Sequence, residues 1–272
     1  MRRIFGKEKG IILKGREEIR KMRIAGAIVY GALKEMASAI RPGVTPLYLD
    51  KLAENYIRKC GAIPSFLGYK GYPASTCIAV NEQVVHAIPN DRPLKEGDIV
   101  GLDTAACWDG YHADAAITVP VGEVSEIHKN LVKTALNALW IGINEVSPGK
   151  PLSRIGAAIQ NYVEMRGFHV VRDLVGHGIG KRLHEKPEVP HYFTKMVDDI
   201  ILTSGMTLCI EPMINVGTHE VTYLSDGWTV VTADGSYSAH FEHTIAITEN
   251  GVMILTLGPN DEDDLWRISE CL

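Results

Sequence analysis

Residues 98–119 read DIVGLDTAACWDGYHADAAITV, and the fold turns on how that stretch pairs with itself. Asp109-Gly110 between strand-like residues signals a two-residue hairpin, because both central positions of the favoured turn need positive φ. That turn pairs Trp108 with Tyr111 and sets Asp114 opposite Ala105, two residues from Asp103. Residues two apart on a strand share a face, so the Asp103 and Asp114 carboxylates are diagonal neighbours about 7 Å apart or less at Cβ. The apolar residues around them (Ile99, Val100, Leu102, Ala105, Ala106, Ala113, Ala115, Ala116 and Ile117) predict burial rather than two solvated acids on an edge hairpin. Buried like charges that close require a cation.

The pattern recurs further on. Gly97-Asp98-Ile99-Val100-Gly101-Leu102-Asp103 is echoed by Gly205-Met206-Thr207-Leu208-Cys209-Ile210-Glu211, an offset of 108. His112-Ala113-Asp114-Ala115-Ala116-Ile117-Thr118-Val119 is echoed by His240-Phe241-Glu242-His243-Thr244-Ile245-Ala246-Ile247, an offset of 128. Each of two hairpins therefore presents two acids, and the second has a loop about twenty residues longer.

The flanking segments repeat as well. Over 17–40, Met22, Ala25, Val29, Leu33, Met36 and Ile40 fall three and four apart, which predicts an amphipathic helix ended by Arg41-Pro42-Gly43. Thr45-Pro46 starts a second helix with Leu49, Leu52, Ala53, Tyr56 and Ile57 as its buried stripe and Gly61 as its stop. Residues 76–80 and 83–88 read as strands about Asn81-Glu82. From Ser125 the order begins again, with Ile127, Leu131, Ala135, Leu139 and Ile143 on one helix and a further helix running to Gly167. Pro42-Gly43, Asn55-Tyr56 and Gly61 match Pro148-Gly149, Asn161-Tyr162 and Gly167 at a constant offset of 106. The chain reads as a tandem duplication with halves at about 15–121 and 122–258, forming one domain over residues 1–272. A twofold relation between halves would join both hairpins into one curved antiparallel sheet of an α+β protein, with helices on the outer face and the four acids on the inner face.

Composition limits the function classes. With 272 residues, 46% hydrophobic and 22% charged, the chain can bury a sizeable core. No stretch reaches the ~20 apolar residues of a membrane span, and the amino-terminal stretch lacks a signal core, so a cytoplasmic protein without membrane contact is expected. The five cysteines are scattered, odd in number and form no CxxC pair, so neither a thiolate zinc site nor a disulfide framework is suggested. A net charge of -5 gives no nucleic-acid footprint. Residues 1–23 hold nine Lys or Arg against three Glu, and the basic segment 1–14 is read first as a solvated terminus and second as a weak contact with ribosomal RNA. Asp261-Glu262-Asp263-Asp264 reads as a short acidic tail.

Four acids meeting at a twofold axis are untenable without cations, and four carboxylates can bridge two divalent ions at the ~3.5–4 Å spacing of two-metal sites. One imidazole would bias such a site toward Mn, Fe, Co or Zn over Ca. The candidate is His177 in Gly176-His177-Gly178-Ile179-Gly180, a run that satisfies neither GxGxxG nor GxxxxGK[ST]. GxSxG and HExxH are both absent, which argues against serine and thermolysin-like hydrolysis.

The set Asp103, Asp114, His177, Glu211 and Glu242, within LDTAACWDGYHAD, GHGIG, CIEP and FEHT, resembles the type I methionine aminopeptidases of the pseudo-twofold "pita-bread" (creatinase/aminopeptidase) fold. The resemblance runs from about Lys14 to Gly258. It implies two divalent metal ions, with Asp114 and Glu242 bridging, Asp103 completing one ion, and His177 with Glu211 completing the other. It further implies His86 beside the scissile amide, His184 on the substrate carbonyl and Glu211 as proton acceptor, in a monomer that removes initiator methionine from nascent polypeptides when the second residue is small. The other histidines (His112, His128, His169, His191, His219, His240 and His243) are read as structural.

By the same resemblance, Phe66, Tyr69, Tyr72, Cys77 and Trp228 line the methionine pocket. This sequence departs from many bacterial members at Phe66, where cysteine is common, and at Lys70, where histidine is common. Two rival readings stand beside this one. An Xaa-Pro aminopeptidase shares the fold but carries a large extra amino-terminal domain, for which this length leaves no room. A non-catalytic ribosome- or RNA-binding relative should have lost a ligand, and none of the five is missing.

Overall fold

The computed structural model describes residues 10–194, 199–261 and 263–266. Most of the basic amino-terminal segment, Glu262 of the acidic close and Cys271 lie outside the described residues.

Two helices open the chain, α1 (Arg16–Ala39) and α2 (Pro46–Lys59). Met22, Ala25, Val29, Leu33 and Met36 are all fully buried, as their spacing dictates. Ile40 is instead the extended cap of α1, half-buried beyond the last turn. Thr45 caps α2, its hydroxyl accepting from Tyr48 N at 3.2 Å, and Pro46 occupies the first position, where no donor is lost.

The strands that follow are β1 (Ile63–Pro64), β2 (Thr76–Val80), β3 (Gln83–Val85), β4 (Ile99–Trp108) and β5 (Tyr111–Pro120). β3 stops short of the predicted 83–88 because His86 has φ 56, which turns the chain out of the ladder. Between β4 and β5 the turn residues Asp109 and Gly110 have φ 47 and 78, and Trp108 pairs with Tyr111, Ala105 with Asp114 and Asp103 with Ala116.

Helices α3 (Glu126–Asn144) and α4 (Ser153–Glu164) come next. Ile127, predicted on the buried stripe of α3, is 50% exposed because it lies in the first turn, before the helix reaches the sheet. The remaining strands are β6 (His169–Val170), β7 (Gly176–Gly178), β8 (Glu185–Val189), β9 (Thr207–Ile210), β10 (Met213–Asn215), β11 (Val221–Tyr223), β12 (Val230–Thr232), β13 (Ser238–His240), β14 (Glu242–Thr248) and β15 (Gly251–Ile254).

The main sheet is antiparallel, in the order β1-β4-β5-β14-β9-β7-β8, with β2 also on β4 and β15 on β14. The two predicted hairpins thus lie side by side through β5 and β14. The second is more than a strand pair with a long loop. β10 pairs with β13 beyond a break at Glu211-Pro212, and β11 and β12 occupy the connection, pairing with each other and, through β12, with β3.

The pleat decides which residues meet the helices. Leu102 and Ala106 of β4, and Ala113, Ala115 and Ile117 of β5, join the core with Val29, Leu33 and Met36 of α1. Asp103 and Asp114, one residue out of phase, emerge on the opposite face.

Candidate active site

The four acids of the duplicated pattern converge. Ligand oxygens of Asp103, Asp114 and Glu242 lie within 4.8 Å of one another. Glu211, just past β9, reaches the same place, with its Oε1 3.5 Å from His177 Nε2. Asp103 Oδ1, Asp114 Oδ1, Glu211 Oε1 and Glu242 Oε1 are buried without a hydrogen-bond partner. Burial raises the pKa of all four, and the neighbouring charges push Asp103, Glu211 and Glu242 further. For Asp114 the result is about 7, against an ordinary value near 3.8. A fold would keep four orphaned carboxylates together only if something positive and oxygen-seeking occupies the space between them.

The imidazole fits that demand. His177 Nδ1 lies 2.9 Å from Gly178 O, and a carbonyl only accepts, so Nδ1 carries the proton and Nε2 turns an unprotonated lone pair toward the acids. Burial lowers its pKa to about 4, so the ring is neutral across the physiological range. Four carboxylates and one neutral imidazole suit divalent ions between hard and borderline.

These groups form the floor of a cavity of about 180 Å³ whose walls include every predicted pocket residue, Phe66, Tyr69, Tyr72, Cys77 and Trp228, together with His86, His184, Leu183 and Lys70. Tyr72 is the keystone of the apolar wall. Its ring meets Trp228 edge-on at 5.1 Å and Phe66 at 6.4 Å. Its hydroxyl lies 3.0 and 2.9 Å from the carbonyls of Thr76 and Ala87, which fixes the ring at both ends. Cys77 is buried beside Asp103, its cross-strand neighbour, and burial raises the thiol's pKa well above the ordinary range.

His86 and His184 both line the cavity. His86 follows β3 in its left-handed conformation, and burial, then the Lys70 charge, lowers its pKa. The ring of His184 sits 4.2 Å from that of His177, and its Nδ1 is 2.8 Å from the Tyr69 hydroxyl. Although the residue keeps an exposed edge, desolvation of its ring in the cavity, then the neighbouring His177 and Lys70, lowers the His184 pKa to about 3. Both histidines are therefore neutral donors or acceptors rather than cations.

Several residues around the site escaped sequence reasoning. His191, read as structural, accepts from Glu211 N at 3.0 Å and so holds the carboxylate-bearing segment where β9 ends. Thr244 Oγ1 accepts from Asp114 N at 2.9 Å and donates to Asp114 O at 2.8 Å, joining β5 to β14 at the acids. Cys209 offers sulfur to a second cluster with His177 and Glu242, although burial keeps its thiol protonated. Lys14 forms a buried 2.6 Å ion pair with Glu185, the residue after His184. Only Cys209 carried a signal, because it stands two residues before Glu211 on the same strand face. By contrast, His112 hydrogen-bonds Ser65, His243 hydrogen-bonds Thr256 and His128 stacks on Tyr237, as structural histidines do.

Comparison with known proteins matches this arrangement. The profile of Metallopeptidase family M24 covers residues 20–249. Methionine aminopeptidase 1 of Bacillus subtilis is 50% identical over 246 residues, 90% of this chain and 99% of its own. Methionine aminopeptidase of Escherichia coli is 44% identical over 253 residues, 92% and 96% of the two chains. The crystal structure of methionine aminopeptidase from Thermotoga maritima superposes with a TM-score of 0.88 at 46% identity, covering 90% of this chain and 99% of that one. A prolidase from Pyrococcus furiosus shares the fold alone, with a TM-score of 0.72 at 23% identity.

Proposed function

The chain belongs to Metallopeptidase family M24, and from that premise we propose a metal-dependent aminopeptidase that releases the initiator methionine of polypeptides whose second residue is small. The observation that carries this is the cavity itself. Orphaned acids and a neutral imidazole form one end, and aromatic edges with a buried thiol line a space sized for a single flexible thioether side chain. A space of about 180 Å³ accommodates one side chain of that size.

Two divalent ions, Mn, Fe, Co or Zn, suit the donor set, and Asp103, Asp114, His177, Glu211 and Glu242 would hold them. When bound, they would act as Lewis acids toward the scissile carbonyl and lower the pKa of water toward ~7. Glu211 takes the proton released as water attacks. With the Tyr69 hydroxyl donating to Nδ1, His184 keeps its proton on Nε2 and offers it to the carbonyl oxygen as negative charge develops there. His86 faces the leaving nitrogen and assists its protonation, a role worth roughly 10² to 10⁴-fold. Tyr72, Phe66 and Trp228 exclude water from the side-chain end.

The substrates on this reading are the amino termini of nascent chains. Among the described residues no helix is long and apolar enough to cross a membrane. The test pairs metal analysis of protein purified without chelator with hydrolysis of Met-Ala-Ser and of Xaa-Pro peptides. Release of methionine dependent on added Mn, Co, Fe or Zn is expected. No release with any of them, or preferential cleavage of Xaa-Pro, would overturn the proposal.

A further inference from the structure

Lys70 is the only lysine or arginine among the residues that line the cavity. It is exposed at the rim, with its Nζ 5.4 Å from the centre of the Tyr69 ring, the same tyrosine that hydrogen-bonds His184. No carboxylate pairs with it among the described residues.

Its backbone is also informative. Lys70 has φ 50 and ψ 23, a left-handed conformation that glycine or asparagine adopts at lower cost, and it stands between Tyr69 and Gly71 in a turn that is otherwise tightly held. Backbone bonds from Tyr69 N to Phe66 O at 2.9 Å, Gly71 N to Gly68 O at 3.1 Å, Tyr72 N to Tyr69 O at 2.9 Å and Gly68 N to Tyr72 O at 2.8 Å close the turn on itself. The ammonium is therefore carried at the mouth on a rigid base rather than on a mobile loop.

Electrostatics gives this charge a direction. Two divalent ions would balance the four carboxylates of the floor. The rim cation is then the one uncompensated charge among the residues that line the cavity. We propose that Lys70 is a specificity-determining residue that favours polypeptides carrying carboxylates just beyond the small second residue. The inference rests on the aminopeptidase reading above and names the substrate class of that same site. Opposite unit charges about 7 Å apart in water favour the pair by roughly threefold, an effect that fades as added salt shortens the screening length from ~10 Å.

The experiment uses the metal-loaded full chain and three peptides, amidated so that no terminal carboxylate competes: Met-Ala-Glu-Glu, Met-Ala-Gln-Gln and Met-Ala-Lys-Lys. The readout is the ratio of kcat/KM values within each protein, which does not depend on the absolute activity of a variant. The wild type should prefer Glu over Gln over Lys, with a Glu-to-Lys ratio of about threefold or more that shrinks in high salt. Lys70→Met should bring the ratio near one, Lys70→Gly should do the same while relaxing the backbone, and Lys70→Glu should invert it. A ratio unchanged between wild type and Lys70→Met removes the role assigned to Lys70 and leaves the aminopeptidase reading intact. Cleavage of none of the three peptides removes both.

Discussion

Asp114→Asn separates what the acid cluster costs the fold from what it gives the reaction. Burial lifts the Asp114 pKa from 3.8 to about 7. A rise of roughly three units, at about 1.4 kcal/mol each, corresponds to about 4 kcal/mol of destabilisation in metal-free protein once the group is ionised in both states. Because the folded value is the raised one, the penalty is absent below about pH 4, grows as pH rises and is complete above about pH 7. Asparagine has the same shape and no charge, but it leaves a buried amide short of a partner, which takes back about 1–3 kcal/mol. Asp114 also raises the pKa values of Asp103, Glu211 and Glu242, so its removal relaxes them too.

The expected result is that chelated Asp114→Asn is more stable than chelated wild type at pH 8 by about 1–3 kcal/mol, or several degrees in Tm, and that the gap closes toward pH 4. The histidines depressed to about 3 or 4 (His177, His184, His191, His240 and His243) cost stability on acidification in both proteins, so they cancel in the difference. Adding Mn²⁺ should raise the Tm of wild type alone, by ligand linkage, and turnover should vanish in the variant. Thermal unfolding at pH 5 and pH 8, with chelator and with Mn²⁺, decides the matter. A metal-free wild type more stable than the variant at pH 8, or a gap indifferent to pH, would show that no electrostatic stress is stored there.

Three further outcomes follow from the same geometry. His86→Ala should keep full metal stoichiometry while kcat falls by roughly 10²-fold or more; loss of metal instead would make His86 a ligand. Trp228→Ala removes the partner of the Tyr72 edge, so discrimination of methionine against leucine in kcat/KM should fall severalfold, and an unchanged ratio would take Trp228 out of the pocket wall. Lys14→Met strands the buried Glu185 carboxylate beside His184 and should cost about 3–5 kcal/mol in urea unfolding, with most of it recovered in Lys14→Met/Glu185→Leu. A cost under about 1 kcal/mol would mean that the pair is not structural.

What could be read in the sequence is what local chemistry determines. Asp109-Gly110 fixes a turn and hence a register, Thr45-Pro46 fixes a helix start, and alternation assigns Asp103 and Asp114 to one face of the sheet. What could not be read depends on distant partners. Lys14 meets Glu185 across most of the chain, His191 finds a backbone amide that no pattern marks, and β3 ends early on one left-handed histidine.

The second hairpin shows both limits at once. A strict repeat of the first, in which Ala105 faces Asp114, would set Met213 opposite Glu242. Instead Ile210 faces His243 and Met213 faces His240, one continuous register that brings Glu242 level with Glu211, two residues away. A slip of one residue would have sent Glu242 into the helix-facing core, where Ile245 and Ile247 pack. A slip of two leaves every side chain on its own face. The proposed duplication could therefore diverge in register and acquire β11 and β12 in its connection while the four carboxylates stayed on one side of the sheet. That even-numbered tolerance is why acids found by sequence offset alone still meet in space.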